Sequence, residues 1–430
     1  MAMPDPRAAR FGEVLAVGEF RSLFAAQLVT VMGDQLARVA LSILVFDRTG
    51  SPGWAAAVYA ATFLPDLLGG PLLSGLADRY PRRTVMVSAD LARVVLVGLM
   101  ALPGMPLPVV GGLLVVVQVL NPPWNAARAA LLTHVVSDRQ FVSAMGLLSM
   151  VVQSGQVVGF AGGGLLVAWL GPHGALATDA GTFGVSALVL LAGVRQRPAA
   201  AAPDVASSAG AGSSRGRAWW SLVRGGMLLV WSDRRLRSLV ALGCVSGFYI
   251  AGEALAAPYA AELGGGSVTV GLLLGAFAAG SVAGMALLAR VPEVYRRRLL
   301  VPLPVLACAV LLGCAADPGL VVTLLLFTIS GCASAYNLVA STVFVQLTPD
   351  SQRAQAFGLA ITALRVSQGV GVVVAGLAAE RLGPHLVVAF AGALGTVAAL
   401  AACDSWRRAS ARAPGPDAAS GPGTGGARLS

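Results

Sequence analysis

The sequence contains no lysine; all 30 of its basic residues are arginine. A phosphate-cradling G-x-x-x-x-G-K-[ST] loop is therefore impossible, which disfavours ATP hydrolysis by this chain as an energy source. Charge is scarce, at 12% of 430 residues, against about 25% in soluble domains. Histidine is nearly absent. His134, His173 and His385 stand singly near the ends of apolar runs, without metal-ligand spacing. The five cysteines (Cys244, Cys308, Cys314, Cys332, Cys403) fall inside apolar runs and read as reduced packing residues. No nucleophilic triad is identifiable. These absences argue against a soluble enzyme, and no cofactor and no metal are expected.

Hydrophobic residues supply 56% of the chain, and the mean hydropathy is +0.77. One soluble core of this size could not hide so much apolar surface, so lipid must be part of the solvent. Glycine (53) and proline (24) are abundant, as in helices that pack closely and break in membranes. Runs long enough to cross a bilayer, about 20 residues each, number twelve. They cover 22–46, 53–76, 84–103, 108–131, 141–170 and 174–194, then 236–260, 268–290, 299–316, 319–347, 354–379 and 384–403. The expected fold is an all-α membrane protein of two six-helix, pseudo-symmetric halves, 1–194 and 236–404. Between them, 195–235 reads as a cytoplasmic linker, flexible over Pro198–Gly216 and basic after it. Residues 405–430, rich in Pro, Gly and Ala, read as a disordered cytoplasmic tail. Met1–Gly18 is expected to hold no cleavable signal peptide.

A net charge of +10 suggests nucleic acid at first, but the arginines cluster between the apolar runs. With both termini cytoplasmic, Arg48 and Arg381 lie outside, Arg38, Arg93, Arg128 and Arg365 lie within spans, and the other 24 lie inside. That satisfies the positive-inside rule for a multi-pass protein of the plasma membrane, with the lipid bilayer as a partner and no nucleic acid. An internal repeat supports the division into halves. At an offset of 212 residues, Asp138–Leu165 aligns with Asp350–Leu377, with ten identities in 28 positions, including Gln140/Gln352 and Gln156/Gln368.

The stretch Gly75-Leu76-Ala77-Asp78-Arg79-Tyr80-Pro81-Arg82-Arg83 resembles the loop signature of the major facilitator superfamily, with Pro81 where glycine is usual. The resemblance implies that Gly75, Asp78, Arg79, Arg82 and Arg83 form a latch between the halves. A worn copy follows in the second half, with Gly284, Arg290 and Arg296–Arg298 present and Leu287 in the place of the aspartate. Gly33-Asp34, Ala89–Arg93, Asn125–Leu132 and Asp179–Phe183 are similar to the macrolide and siderophore exporter branch. Gly155, Gly159, Gly163 and Gly164 match the exporter pattern G-x-x-x-G-P-x-x-G-G, except that Phe160 replaces the proline and removes a kink.

Charges within spans are the first functional candidates, because an ionised group at mid-bilayer costs at least about 2.5 kcal/mol. Asp34, near the middle of span one, and Glu253, deep in span seven but nearer its outer end, are candidate proton carriers or partners of a cationic substrate, with a water-facing role equally open for Glu253. An ion pair of Asp34 with Arg38, one turn on, is the plainer alternative. Arg128 joins them as a proton-coupling candidate, since the resembled family often places such an arginine at the inner end of span four. Asp90 and Arg93, at i and i+3, read as a structural pair. Asp66, Gln118, Asn121, Asn125, Tyr249, Tyr336, Asn337 and Gln346 are candidates for the wall of a substrate cavity.

The expected function is secondary active transport, with proton-coupled export of a small amphipathic drug or secondary metabolite by a monomer. The partners are then a small-molecule substrate and protons. A siderophore or metabolite carrier of the same fold, with import open, is the alternative. A non-transporting membrane sensor or membrane enzyme would need a cluster of catalytic residues at one interface, and none is visible.

Overall fold

A computed structural model describes residues 11–63, 80–197, 227–349 and 352–411. All regular elements among the described residues are helices. The longer ones are α1 (Gly18–Thr49), α2 (Pro52–Ala61), α3 (Arg82–Met100), α4 (Leu107–Val135), α5 (Asp138–Gly193) and α6 (Arg234–Glu262). They continue with α7 (Ser267–Arg290), α8 (Tyr295–Ala316), α9 (Leu320–Leu347), α10 (Arg353–Ala379) and α11 (Pro384–Ala411).

Their ends follow local chemistry. Gly50, at φ 63°, closes α1 in the left-handed conformation, its N–H donating to Phe46 O at 2.7 Å. Ser51 then caps α2 by accepting from Trp54 N at 3.1 Å, with Pro52 in the first turn. Ser137 and Gln140 form a capping box at the start of α5. Spans five and six, expected as separate helices, run on as this one element, but Gly171 (φ 70°, ψ 172°) and Pro172 break it into two arms.

Eight helices among the described residues are long and apolar enough to cross a membrane, or nine if the bent α6 is one span. Twelve were expected, and three places account for the difference. Most of span two (53–76) lies outside the described residues, α5 counts once despite its break, and α3 carries Arg82, Arg83, Asp90 and Arg93 in 19 residues. Of the expected linker 195–235, residues 198–226 lie outside the described set, and Arg234 and Arg235 already belong to α6. The last helix passes the expected boundary at 404 and reaches Ala411, held by an Arg408–Asp404 pair at 2.7 Å and by Arg235 Nε donating to Ala409 O.

Helix surfaces turned away from the core are apolar. Val321 is 71% exposed, Val397 67% and Leu188 66%, a surface that suits hydrocarbon and not water. Connections fall at two ends. At one end Arg48 donates to Met105 O at 2.7 Å and meets His173 at 3.2 Å, Glu380 meets Ser51 and Gly53, and His385 meets Glu262 at 2.5 Å. At the other, Arg197 pairs with Glu19 at 2.7 Å, Arg82 donates to Ala130 O at 3.0 Å, Arg83 donates to Leu191 O, and Arg297 donates to Gln346 at 2.9 Å. The arginine-rich segments thus gather at one end of the bundle.

Candidate functional site: a polar cavity between helices

The expected glycines explain how the helices close in. Gly155, Gly159 and Gly163, four residues apart, lie along one face of α5 against Val31, Met32, Gln35 and Leu36 of α1. A Cβ on Gly159 would stand 3.0 Å from Met32 O, and one on Gly163 would stand 3.2 Å from Leu36 Cα. Gly164 turns to the second half of the chain, where a Cβ would fall 2.9 Å from Gly271 Cα of α7. Backbone meets backbone at that crossing, which a side chain would prevent.

Behind this contact lies a cavity of about 280 Å³, walled by α1, α3, α4, α5 and α10. Helical periodicity places its polar groups. Gln27, Asp34 and Arg38 are seven and four residues apart, so they share one face of α1. Gln118, Asn121, Asn125 and Arg128 share a face of α4 in the same way, across its break at Leu120. Five of the expected site residues, Asp34, Gln118, Asn121, Asn125 and Arg128, meet in this one cavity. Arg38, Arg93, Arg365 and Gln27 join them. Arg38 and Gln27 were not foreseen as cavity groups, although a polar residue every turn or two in an apolar run was a readable signal.

Asp34 has neither a hydrogen bond nor an ion pair among the described residues; Arg93 and Arg38 are the cations that face it. The alternative Asp34–Arg38 ion pair does not form. The Asp90–Arg93 pair does, at 3.3 Å, with both side chains buried. Arg93 also donates to Asn121 at 2.6 Å and lies over the Phe183 ring, while Ser186 donates to Asp90 at 2.7 Å. Asp179 of α5 is buried close by, accepting from Thr182, and it faces Arg93 as well. Arg128 donates to Gln27 and lies over Trp124, 5.7 Å from the ring centroid. An arginine at mid-helix in lipid costs about 2.5–3.5 kcal/mol, and facing a polar cavity instead of lipid lowers that cost.

Glu253 stands at the seam between α6 and α2, accepting from the Tyr59 hydroxyl at 2.6 Å, with Arg38 and Arg365 facing it. Arg365 lies over Phe63 at 5.8 Å and donates to Gln368. The remaining expected wall residues are elsewhere. Tyr249, Asn337 and Tyr336 form a buried cluster within the second half, where Asn337 donates to Tyr249 at 2.8 Å and Tyr336 donates to Leu242 O at 2.9 Å. Gln346 lies at the arginine-rich end, beside a cavity of about 400 Å³ between α7, α8 and α9. Asp66 and the motif residues Gly75, Asp78 and Arg79 lie outside the described residues. Arg82 and Arg83 tie the start of α3 to the ends of α4 and α5.

A helical bundle with apolar flanks and a polar cavity at its centre is the build of a membrane transporter. A sequence model of the Major Facilitator Superfamily matches residues 23–253 and 238–423. The chain belongs to the Major Facilitator Superfamily. The multidrug efflux pump Tap of Mycobacterium tuberculosis is 32% identical over 235 residues, which cover 51% of this chain and 52% of that protein. An uncharacterized MFS-type transporter of the same organism is 31% identical over 190 residues, covering 42% of this chain and 41% of that one. The chain thus spans about half the length, or less, of these curated relatives. Among solved structures, a bacterial homolog of the human lysosomal transporter Spinster, inward-facing and unoccupied, superposes with a TM-score of 0.67 at 16% identity, over 92% of this chain and 96% of that one. The nucleoside transporter NupG gives a TM-score of 0.66 at 13% identity, over 90% and 99%. At such identities the likeness speaks for the fold.

Proposed function

We propose that this transporter exports a small amphipathic compound in exchange for protons, by rocking two six-helix halves of twelve spans in all about a central site. The halves are 1–194 and 236–404, and the chain works as a monomer in the plasma membrane. The arginine-rich end is the cytoplasmic one, with both termini, in keeping with the positive-inside rule. One observation carries the reading. Among the described residues Asp34 is an unpaired carboxylate, on the wall of a polar cavity at the junction of α1, α4 and α10. A carboxylate so placed is free to trade a proton for cargo.

Glu253 is the second carboxylate of the exchange, on the seam where the halves must separate. The glycine crossing of α5 on α7 is a surface on which the halves can tilt, and the Gly75–Arg83 loop is the latch at the cytoplasmic end. Export is supported by the glycine pattern of α5 and by the efflux pump among the relatives. Import by a carrier of the same fold is the second reading, favoured by Phe160 in place of the exporter proline.

Accumulation of a panel of lipophilic compounds in expressing cells, with and without a proton uncoupler, tests the reading. Reduced accumulation that the uncoupler restores, relative to vector-only cells, is expected. Uncoupler-sensitive gain of compound would transfer the assignment to import. Movement indifferent to the uncoupler would remove proton coupling.

A further inference from the structure

Four guanidinium groups reach the wall of the cavity, from Arg38, Arg93, Arg128 and Arg365, against the one carboxylate of Asp34. Three of the four have a carboxylate facing them. Arg93 is ion-paired with Asp90 at 3.3 Å. Arg38 faces Asp34 and Glu253, and Arg365 faces Glu253. Arg128 differs. Among the described residues its partners are neutral, the amide oxygen of Gln27 and the ring of Trp124. An arginine held inside a membrane protein by neutral groups alone retains an unmet preference for an anion.

Place strengthens the case. Gln27 lies seven residues before Asp34 on the same face of α1, roughly 10 Å along the axis. Arg128 therefore marks one level of the cavity and the unpaired carboxylate another. Gln27 accepts from Arg128 with one atom only, so the fork of the guanidinium can still engage an oxyanion bidentately. Asn125, one turn before Arg128, is exposed on the same wall and carries an amide donor. Trp124, Val31 and Val152 supply the apolar part of the lining.

We propose that Arg128 anchors an anionic group (a carboxylate, sulfonate or phosphate) on the amphipathic cargo of this cavity. The proposal rests on the cavity being the cargo site, but not on proton coupling or on direction. Arg128 acts here by direct contact with cargo and carries no proton.

The test uses the purified full chain in phosphatidylcholine nanodiscs and three matched dansyl probes: a carboxylate, its neutral amide and an amine. The carboxylate should bind at least about tenfold tighter than the amide, the value of one charge-assisted hydrogen bond. R128Q should abolish that preference by weakening the carboxylate far more than the amide, while R128K, which keeps charge but loses the fork, should retain part of it. Equal binding of the three probes by the native chain would overturn the proposal. So would an equal loss for all three in both variants, which would mark a structural role. Displacement of the carboxylate probe by added phosphatidylglycerol would overturn the assignment to a soluble cargo. Flux of the same probes in energised vesicles separates the two readings. Carboxylate-selective binding without uncoupler-sensitive flux would support the anion site and sink proton coupling. Uncoupler-sensitive flux of all three probes, with no preference for the carboxylate in binding, would do the reverse.

Discussion

The two halves of the chain differ in where they keep charge. Up to residue 197, six aspartate, glutamate or arginine side chains stand away from described helix ends: Asp34, Arg38, Asp90, Arg93, Arg128 and Asp179. From 227 to 411 there are three, of which Asp404 pairs with Arg408 on its own helix while Glu253 and Arg365 both face the first half. The polar groups inside the second half are instead spent on its own packing, as in the Tyr249–Asn337 and Tyr336–Leu242 bonds. Helix pairs of similar length and hydropathy can thus serve different ends. One half holds most of the charged groups at the cavity, and the other reaches towards them with one carboxylate and one guanidinium.

The largest expected effect follows directly. Asp34→Asn should abolish uncoupler-sensitive transport while the protein still inserts and binds compound, whereas Glu253→Gln, on the seam, should reduce the rate without ending coupling. Transport assays in matched vesicles separate them, and equal losses would break the contrast between the halves. Next is stability. Arg93→Ala leaves Asp90 buried without its cation and should cost about 3–5 kcal/mol, seen as a lower midpoint in chemical denaturation. Removing the second-half cation in Arg365→Ala should cost less than half as much, and a larger cost there would overturn the comparison.

Gly164→Val should force α5 and α7 apart and cost about 1–3 kcal/mol, slowing transport more than it weakens compound binding. Gly162, with nothing near a Cβ, is the control position, and the same change there should be silent. The smallest effect is expected at Glu380. Its carboxyl, on the exposed clasp between α10 and α2, is held below its ordinary value of 4.5 by hydrogen bonds from the Ser51 hydroxyl and the Gly53 N–H. A depressed carboxylate contributes its stabilisation above the ordinary value and loses it as pH falls through the lowered one. The separation of spin labels placed on α2 and α10 should therefore stay constant from neutral pH down to about 4.5 and widen below it. Glu380→Gln should widen that separation at neutral pH and flatten the profile. An unchanged profile in the variant would remove Glu380 from the clasp.

Much of the site was readable because helical periodicity is rigid. Gln118, Asn121, Asn125 and Arg128 share a face by spacing alone, and so do Gln27, Asp34 and Arg38. Tyr249, Tyr336 and Asn337 read the same way, yet they turned inward within their own half. Spacing gives the face of a helix but not the neighbour it meets. The same limit applies to Gly164, which departs from its three companions on α5 and crosses to Gly271. Its place beside Gly163 puts it about 100° around the helix, but only packing shows what stands there.

Composition and the spacing of apolar runs pointed to the solvent, the helical class and the end at which arginine collects, and the Gly75–Arg83 stretch pointed to the family, because each depends on summed or local properties of the chain. Tertiary structure decided which charges became partners. Asp90 took Arg93, Glu253 took Tyr59 from 194 residues away, and Asp34 and Arg128 were left to face the cavity. Electrostatic pairing depends on distances between helices, and those are set by how side chains and glycines pack.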